Sequence, residues 1–214
     1  MHACSKSVQA ADADGVRAAA RCLAAGGLVV YPTETLYGLG VDATNAAAVE
    51  RLVAVKGREA GKPIAVLVAD GAMAATVVAA VPAAAATLMS RFWPGPLTIV
   101  LEAAPTLPAP LTAGTGTIGL RVSSHPVAAA IVRELGRPVT TPSANPAGER
   151  PPVCVADAAA YFGDRVDLYL DAGPVPGEPA STVIDARGPL RVLRAGAIDA
   201  AAIETAVASS PQLR

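Results

Sequence analysis

The stretch LVVYPTETLYGLG, residues 28–40, joins a short apolar run to a segment rich in threonine and glycine. Leu28–Tyr31 predicts a buried strand, and Pro32–Thr44 predicts a loop or turn. Ligand sites in open α/β sheets collect where a strand ends and a polar loop begins. The stretch therefore predicts both a strand of the core and one wall of a candidate site.

Helical patterns lie on both sides of this stretch. One helix is predicted from a cap at Asp14 to a stop at Gly26, and another from a cap at Asn45 to about Lys56. Further strands are predicted at 64–69, 97–102, 117–122, 139–141, 167–170, 181–185 and 190–193, and further helices at 71–80, 83–92, 126–135, 156–162 and 198–208. Helices between the early strands and short turns between the late ones predict an α/β fold with a mixed parallel and antiparallel sheet.

Composition excludes several classes of protein. The 214 residues are 52% hydrophobic and 16% charged with a net charge of −1, which disfavours disorder and a bulk nucleic-acid binder. The three cysteines form no CxxC pair, so neither a disulfide framework nor a zinc site is indicated. Residues 71–90 carry no charge, but Pro82 divides them into two short helices rather than one membrane span. With no secretory signal visible, we expect a single domain over residues 1–214 in the cytoplasm.

The segment KGREAGK, residues 56–62, places three cations within seven residues. Lysine beside arginine is a common pairing for polyphosphate. Cations at the end of a helix also stabilise its dipole, so a solvated turn is the alternative. The segment is not a Walker A loop, because no GxxxxGK[ST] pattern occurs.

Polar residues follow other strands as well. The hydroxyls of Thr33 and Thr35 suit a zwitterionic or carboxylate ligand, although capping threonines in a tight turn would look the same. Arg121 shares a strand face with Thr117, and amid apolar neighbours it needs either a carboxylate ligand or a structural acid. The remaining candidates, which follow or lie on later strands, are Thr141, Ser143, Asn145, Ser181, Arg191 and Arg194.

Groups for covalent or acid–base catalysis are scarce. His125 precedes Pro126 at a predicted helix start, which favours a capping role. No Ser-His-Asp or Cys-His arrangement is indicated, and no pair of carboxylates stands out. Hydroxyls and cations without a nucleophile point to catalysis by positioning and charge neutralisation.

Six motifs in their order and spacing resemble the YrdC/TsaC family of L-threonylcarbamoyladenylate synthases. They are PTETLYGLG (32–40), KGREAGKP (56–63), WPGPLT (93–98), TIGLRV (117–122), PSAN (142–145) and STVID (181–185). The resemblance covers about residues 15–197. It implies one YrdC-like domain with a twisted mixed sheet flanked by helices, a concave basic cavity and no additional C-terminal domain.

The resemblance also implies a reaction, in which L-threonine, bicarbonate and ATP yield threonylcarbamoyl-AMP and pyrophosphate. A transferase complex would then modify adenosine 37 of tRNA. Mg²⁺ would accompany ATP, with no metal ligand from protein side chains. An RNA-binding module of the same fold, for tRNA or double-stranded RNA, is the alternative, and direct contact of the enzyme with tRNA is expected to be weak.

Residue roles follow from the resemblance position by position. Lys56 and Arg58 would be catalytic. ATP would be bound by Lys56, Arg58, Lys62, Thr117, Ser143, Asn145 and Arg194, and L-threonine by Thr33, Thr35, Arg121, Thr141 and Ser181. Lys56→Ala and Arg58→Ala are expected to abolish AMP-ester formation and leave the fold intact. Glu59, Leu67 and Ala180 depart from the common family pattern and leave local pocket details open.

Overall fold

The computed structural model describes residues 7–57, 61–177 and 179–209, which contain ten strands and eight α-helices. The strands are β1 Ser7–Ala10, β2 Val29–Pro32, β3 Tyr37–Gly40, β4 Val66–Leu67, β5 Leu97–Glu102, β6 Thr117–Arg121, β7 Val139–Thr140, β8 Leu168–Asp171, β9 Thr182–Asp185 and β10 Arg191–Arg194. The helices are α1 Ala13–Ala24, α2 Ala46–Lys56, α3 Gly71–Val77, α4 Ala83–Phe92, α5 Ala109–Thr112, α6 Pro126–Leu135, α7 Val155–Phe162 and α8 Ala200–Ala208.

The predicted α/β class with parallel and antiparallel pairing is confirmed, but the prediction of one mixed sheet is wrong, because the strands form two mixed sheets joined by isolated bridges. One has the order β1-β8-β2-β3 and the other the order β10-β9-β5-β6-β4-β7. The sheets meet where β3 passes β7, through isolated bridges between Gly38 and Ser143 and between Asp42 and Val139. This seam brings the turn between β2 and β3 beside the loop that follows β7.

The prediction of a continuous loop over Pro32–Thr44 is wrong, because Tyr37–Gly40 forms strand β3. It pairs antiparallel with β2, from Val29 opposite Gly40 to Pro32 opposite Tyr37. All four of its residues are buried. Glycines that look like turn residues are needed for close packing here, since a Cβ on Gly40 would lie 2.7 Å from Tyr31 Cε1.

Helix boundaries were predictable where a cap was present. Asn45 caps α2 as expected, and its side chain accepts the amide of Ala48. The cap of α1 is Asp12 rather than Asp14, because Asp12 Oδ1 accepts the Gly15 amide at 2.9 Å. Asp14 instead forms an ion pair with Arg17 one turn along the helix. Either aspartate fits the sequence signature of a cap, and only the backbone position decides between them.

Two buried apolar clusters enclose the sheets. The larger packs α2, α4 and α7 against the faces of both sheets, around residues such as Leu52, Leu88 and Ile99. The smaller lies under α1 and α6, around Leu23 and Ile131. Among the described residues, no helix combines the length and apolarity that crossing a bilayer requires.

Candidate functional site

A cavity of about 620 Å³ lies on the face of the larger sheet formed by β6, β5, β9 and β10. Side chains on a strand alternate between faces, so Thr117, Gly119 and Arg121 all reach the cavity from β6, as the predicted period of two requires. Val100 of β5 lies between Gly119 on one side and Asp185 of β9 on the other. The sheet therefore forms a continuous floor for the site.

The β2–β3 turn forms the wall above one end of this floor. Thr33 builds the turn, because its Oγ1 donates to the carbonyl of Leu36 at 2.6 Å and accepts the Leu36 amide at 3.2 Å. Thr35 Oγ1 lies 3.3 Å from Thr33 Oγ1. Both threonines line the cavity, so the structural and the ligand-binding interpretations apply together.

The sequence left open whether Arg121 pairs with a ligand carboxylate or with an acidic side chain of the protein. Its Nη1 lies 3.2 Å from Glu34 Oε1, so a structural acid is present. The pair is incomplete, because the buried Arg121 Nε has no hydrogen-bond partner. The buried Thr141 Oγ1 lies beside the Tyr31 hydroxyl without a hydrogen bond of standard geometry, and Arg121 and Thr141 both line the cavity. Buried polar atoms are nearly always paired, so these two atoms indicate a polar ligand at this end.

Arg194 and Ser181 close the same end from the opposite side. The Nη2 of Arg194 donates to Ser181 O at 2.7 Å and to Ser181 Oγ at 2.9 Å. Ser181 Oγ also lies 3.1 Å from Thr98 Oγ1 on the floor. Burial, with a further contribution from the charge of Arg121, lowers the pKa of Arg194. Through these hydrogen bonds Arg194 holds Ser181 in place.

Lys56, at the last position of α2, also lines the cavity. Its Nζ donates to the backbone carbonyls of Ser143 at 2.6 Å and Asn145 at 2.7 Å. Lys56 is thus a buried part of the wall as well as a cation beside the cavity. Contrary to the expectation that the fold stays intact, we expect Lys56→Ala to lower stability, because two carbonyls lose their donor.

The other predicted nucleotide contacts divide into two groups. Thr117 and Ser143 line the cavity, whereas Lys62 and Asn145 do not. The Nδ2 of Asn145 donates to the carbonyls of Pro146 at 2.9 Å and Glu149 at 2.7 Å, which fixes the loop after β7. Its buried Oδ1 has no partner.

Two of the sequence-based assignments fall on positions that the structure does not describe. Arg58 and Glu59 lie outside the described residues.

Sequence reasoning missed two arginine–carboxylate groups at the site. One is Glu34 behind Arg121. The other is Asp185, which accepts Arg187 Nε at 3.0 Å, Arg187 Nη2 at 2.8 Å and Arg191 Nη2 at 3.0 Å. These arginines hold the pKa of Asp185 far below its usual range. The signal was available in part, since STVID ends on Asp185 and a short turn returns the chain to Arg191.

Charge in the cavity is mostly positive. The described lining residues include five cations, Lys56, Arg121, Arg187, Arg191 and Arg194, and one carboxylate, Asp185. Such a surface attracts anions, and phosphate and carboxylate groups fit guanidinium donors best. His125 is not part of the lining, and its Nδ1 accepts the Val127 amide as the cap of α6, as predicted. The site can therefore bind and orient anions without a side-chain nucleophile.

Comparison with known proteins agrees with this geometry. A family model for Sua5/YciO/YrdC domains, described as "Telomere recombination", matches residues 21–196. A putative threonylcarbamoyl-AMP synthase of Mycobacterium tuberculosis is 42% identical over 185 residues, which are 86% of this chain and 85% of that protein. The threonylcarbamoyl-AMP synthase of Bacillus subtilis is 38% identical over 182 residues, which are 84% of this chain and 53% of that protein.

Solved structures give the same result. Sua5 of Pyrococcus abyssi in complex with L-threonine superposes with a TM-score of 0.88 at 33% identity, over 94% of this chain and 60% of that one. YciO of Escherichia coli superposes with a TM-score of 0.80 at 26% identity, over 91% of this chain and 96% of that one. The chain therefore belongs to the Sua5/YciO/YrdC family.

Proposed function

We propose that this chain is an L-threonylcarbamoyladenylate synthase, which converts L-threonine, bicarbonate and ATP to threonylcarbamoyl-AMP and pyrophosphate. One observation carries the proposal: a single basic cavity is lined by Arg121, whose buried Nε is unpaired, by the hydroxyl residues Thr141 and Ser143, and by Lys56. A cavity of this size, about 620 Å³, can hold an amino acid next to a nucleotide. Relatives at 38% and 42% identity carry the name of this enzyme.

L-threonine would bind at the Arg121 end. The unpaired Nε of Arg121 would donate to the substrate carboxylate, and the hydroxyl of Thr141 would take a further polar group. Thr35 would close the pocket from the turn, which Thr33 holds, and Ser181 would close it from the position just before β9.

ATP would occupy the remainder of the floor. Lys56 and Arg58 would neutralise the phosphates, while Thr117 and Ser143 would lie along the nucleotide. Lys62 and Asn145 do not line the cavity, so their predicted contacts with ATP are not part of this arrangement. Arg194 would face the junction between the two substrates, because it is fixed to Ser181 and adds its charge to that of Arg121. The α-phosphoryl group would thus lie among the cations of the lining.

The chemistry needs no enzyme nucleophile. The threonine amine attacks CO₂ or bicarbonate and forms a carbamate, and bicarbonate loses water in this step. A carbamate oxygen then attacks the α-phosphorus, and the bond to pyrophosphate breaks. Both steps depend on alignment and on charge neutralisation at the phosphoryl oxygens, which the cationic lining supplies.

Mg²⁺ would enter as the counterion of ATP. The described residues contain no group of three or more histidine, cysteine, aspartate or glutamate side chains that could hold a metal ion. The phosphates of ATP would then be its ligands, and the ion would add to the neutralisation of the leaving pyrophosphate. No step is assigned to a metal held by the protein.

The product is a mixed anhydride that reacts readily with nucleophiles, so it would be passed on rather than stored. We propose that a tRNA threonylcarbamoyl transferase complex receives it in the cytoplasm. The alternative of an RNA-binding module is not favoured, because the named relatives are synthases. Nothing in the cavity requires contact with tRNA.

A pyrophosphate-release assay tests the function. The protein is incubated with Mg²⁺ and ATP, and L-threonine and bicarbonate are omitted one at a time. We expect release only when both are present. Pyrophosphate release that continues when either L-threonine or bicarbonate is omitted would contradict the proposal. The carbamate needs the amine of the first and the carbon of the second.

A further inference from the structure

Glu34 is a mostly buried carboxylate beside Arg121, and the proposed reaction gives it no role. Its Oε1 lies 3.2 Å from Arg121 Nη1, and its Oε2 accepts the hydroxyl of Ser123. The side chains of Arg121 and Glu34 are 5% and 13% exposed. A positive and a negative charge are therefore buried side by side at one end of the cavity.

Each member of this pair keeps an unsatisfied atom. Arg121 Nε has no hydrogen-bond partner. Glu34 Oε1 is close enough to Arg121 to form an ion pair, but the angle between them does not allow a hydrogen bond. An unsatisfied donor on the cation and an unsatisfied acceptor on the anion cost free energy when both stay buried. A ligand carboxylate would satisfy Arg121 Nε, whereas Glu34 does not line the cavity and acts on a ligand ammonium through its charge.

We propose that Glu34 is a specificity-determining residue, which makes this pocket select a zwitterionic α-amino acid over a carboxylic acid that lacks the amino group. The inference deepens the proposed function and rests on it. Arg121 lines the cavity and Glu34 lies behind it, so Glu34 acts through Arg121 and through its own charge rather than by touching the reacting atoms. It is a positioning residue, not a catalytic one.

The sign of the effect follows from Coulomb's law. A ligand group bound to the far side of the guanidinium lies about 6 Å from the Glu34 carboxylate. At that distance the interaction of two unit charges changes the binding constant about threefold in water, and about a hundredfold at a dielectric constant of 20. The carboxylate of a ligand is repelled and its ammonium is attracted. For a zwitterion the two effects largely cancel, whereas an acid without the amino group experiences only the repulsion.

The experiment compares Glu34→Gln with the wild type. Binding of L-threonine and of 3-hydroxybutanoate, which is threonine without its amino group, is titrated by two-dimensional NMR in the absence of ATP. We expect the preference for threonine to fall about tenfold in the variant, mainly because 3-hydroxybutanoate binds more tightly. A preference that stays the same or increases would overturn the inference.

Matched variants separate charge from stability. Glu34→Asp keeps the charge, and we expect it to keep most of the preference. Asp42→Asn makes the same carboxylate-to-amide change in a buried carboxylate that pairs with Arg137 away from the cavity. We expect Asp42→Asn to lower stability and leave the preference unchanged, and a fall equal to that of Glu34→Gln would overturn the inference.

The wild type alone provides a further test. Equal affinities for threonine and 3-hydroxybutanoate would overturn the inference even if Glu34→Gln failed to fold. Binding without ATP also separates the two claims. If the wild type releases pyrophosphate in a threonine-dependent way and Glu34→Gln keeps the wild-type preference for threonine, the role of Glu34 is refuted. If the preference shifts in Glu34→Gln but the wild type releases no pyrophosphate, the proposed function is refuted.

Discussion

Lys56→Met removes the ammonium that binds two carbonyls and keeps most of the aliphatic side chain. The Nζ donates to Ser143 O at 2.6 Å and to Asn145 O at 2.7 Å, and the residue is buried. Leaving a buried acceptor unpaired costs about 1–3 kcal/mol, and relief from burying a charge offsets part of that cost. We expect a net loss of about 2 kcal/mol, which lowers the midpoint of thermal unfolding by about 4–8 °C in a domain of this size.

Urea and thermal unfolding followed by circular dichroism measure this loss. Lys62→Met is the matched control, because Lys62 is exposed and does not line the cavity. We expect that control to stay within about 0.5 kcal/mol of the wild type. Unfolding of Lys56→Met at the wild-type midpoint would refute the structural role of Lys56, and full turnover in the folded variant would refute its catalytic role.

Three further predictions address the packing, the pocket and the charges. Gly40→Ala places a Cβ 2.7 Å from Tyr31 Cε1, so we expect a loss of about 1–3 kcal/mol in urea unfolding, and an unchanged midpoint would contradict the packing at the seam. Arg194→Lys keeps the charge but loses the fork that holds Ser181, so we expect the KM for threonine in pyrophosphate release to rise about tenfold, and an unchanged KM would argue against that anchor. Asp185 has a folded-state pKa far below its ordinary 3.8, so its ion pairs stabilise the fold above pH 4 and this stabilisation is lost as pH falls. The difference in unfolding free energy between the wild type and Asp185→Asn should therefore be largest near neutral pH and shrink in acid, and a difference independent of pH would contradict it.

Local sequence signals recovered much of the fold but not the glycine-rich strand. Helix α2 was predictable because Asn45 is a strong cap and Gly57 adopts the left-handed conformation that ends a helix. Strand β3 was not, because Gly38 and Gly40 disfavour a strand locally. Their lack of a side chain is needed for contact with Tyr31, and that contact is set by tertiary packing.

The candidate site shows the same division. The two-residue period on β6 correctly placed Thr117 and Arg121 on one face, because strand geometry is local. The ion pair between Arg121 and Glu34 joins distant parts of the chain. The sequence therefore predicted that Arg121 needs an anionic partner, but it did not show that Glu34 is that partner. Lys56 shows the converse, since its charge was visible in the sequence and its carbonyl partners were not.

The central claim is that one cavity joins threonine, bicarbonate and ATP in a single product. Mass spectrometry of reactions with ¹³C-bicarbonate tests it directly. We predict threonylcarbamoyl-AMP that carries the ¹³C label and that is missing when L-threonine is omitted. Unlabelled product, or AMP and pyrophosphate formed without a threonine adduct, would contradict the account.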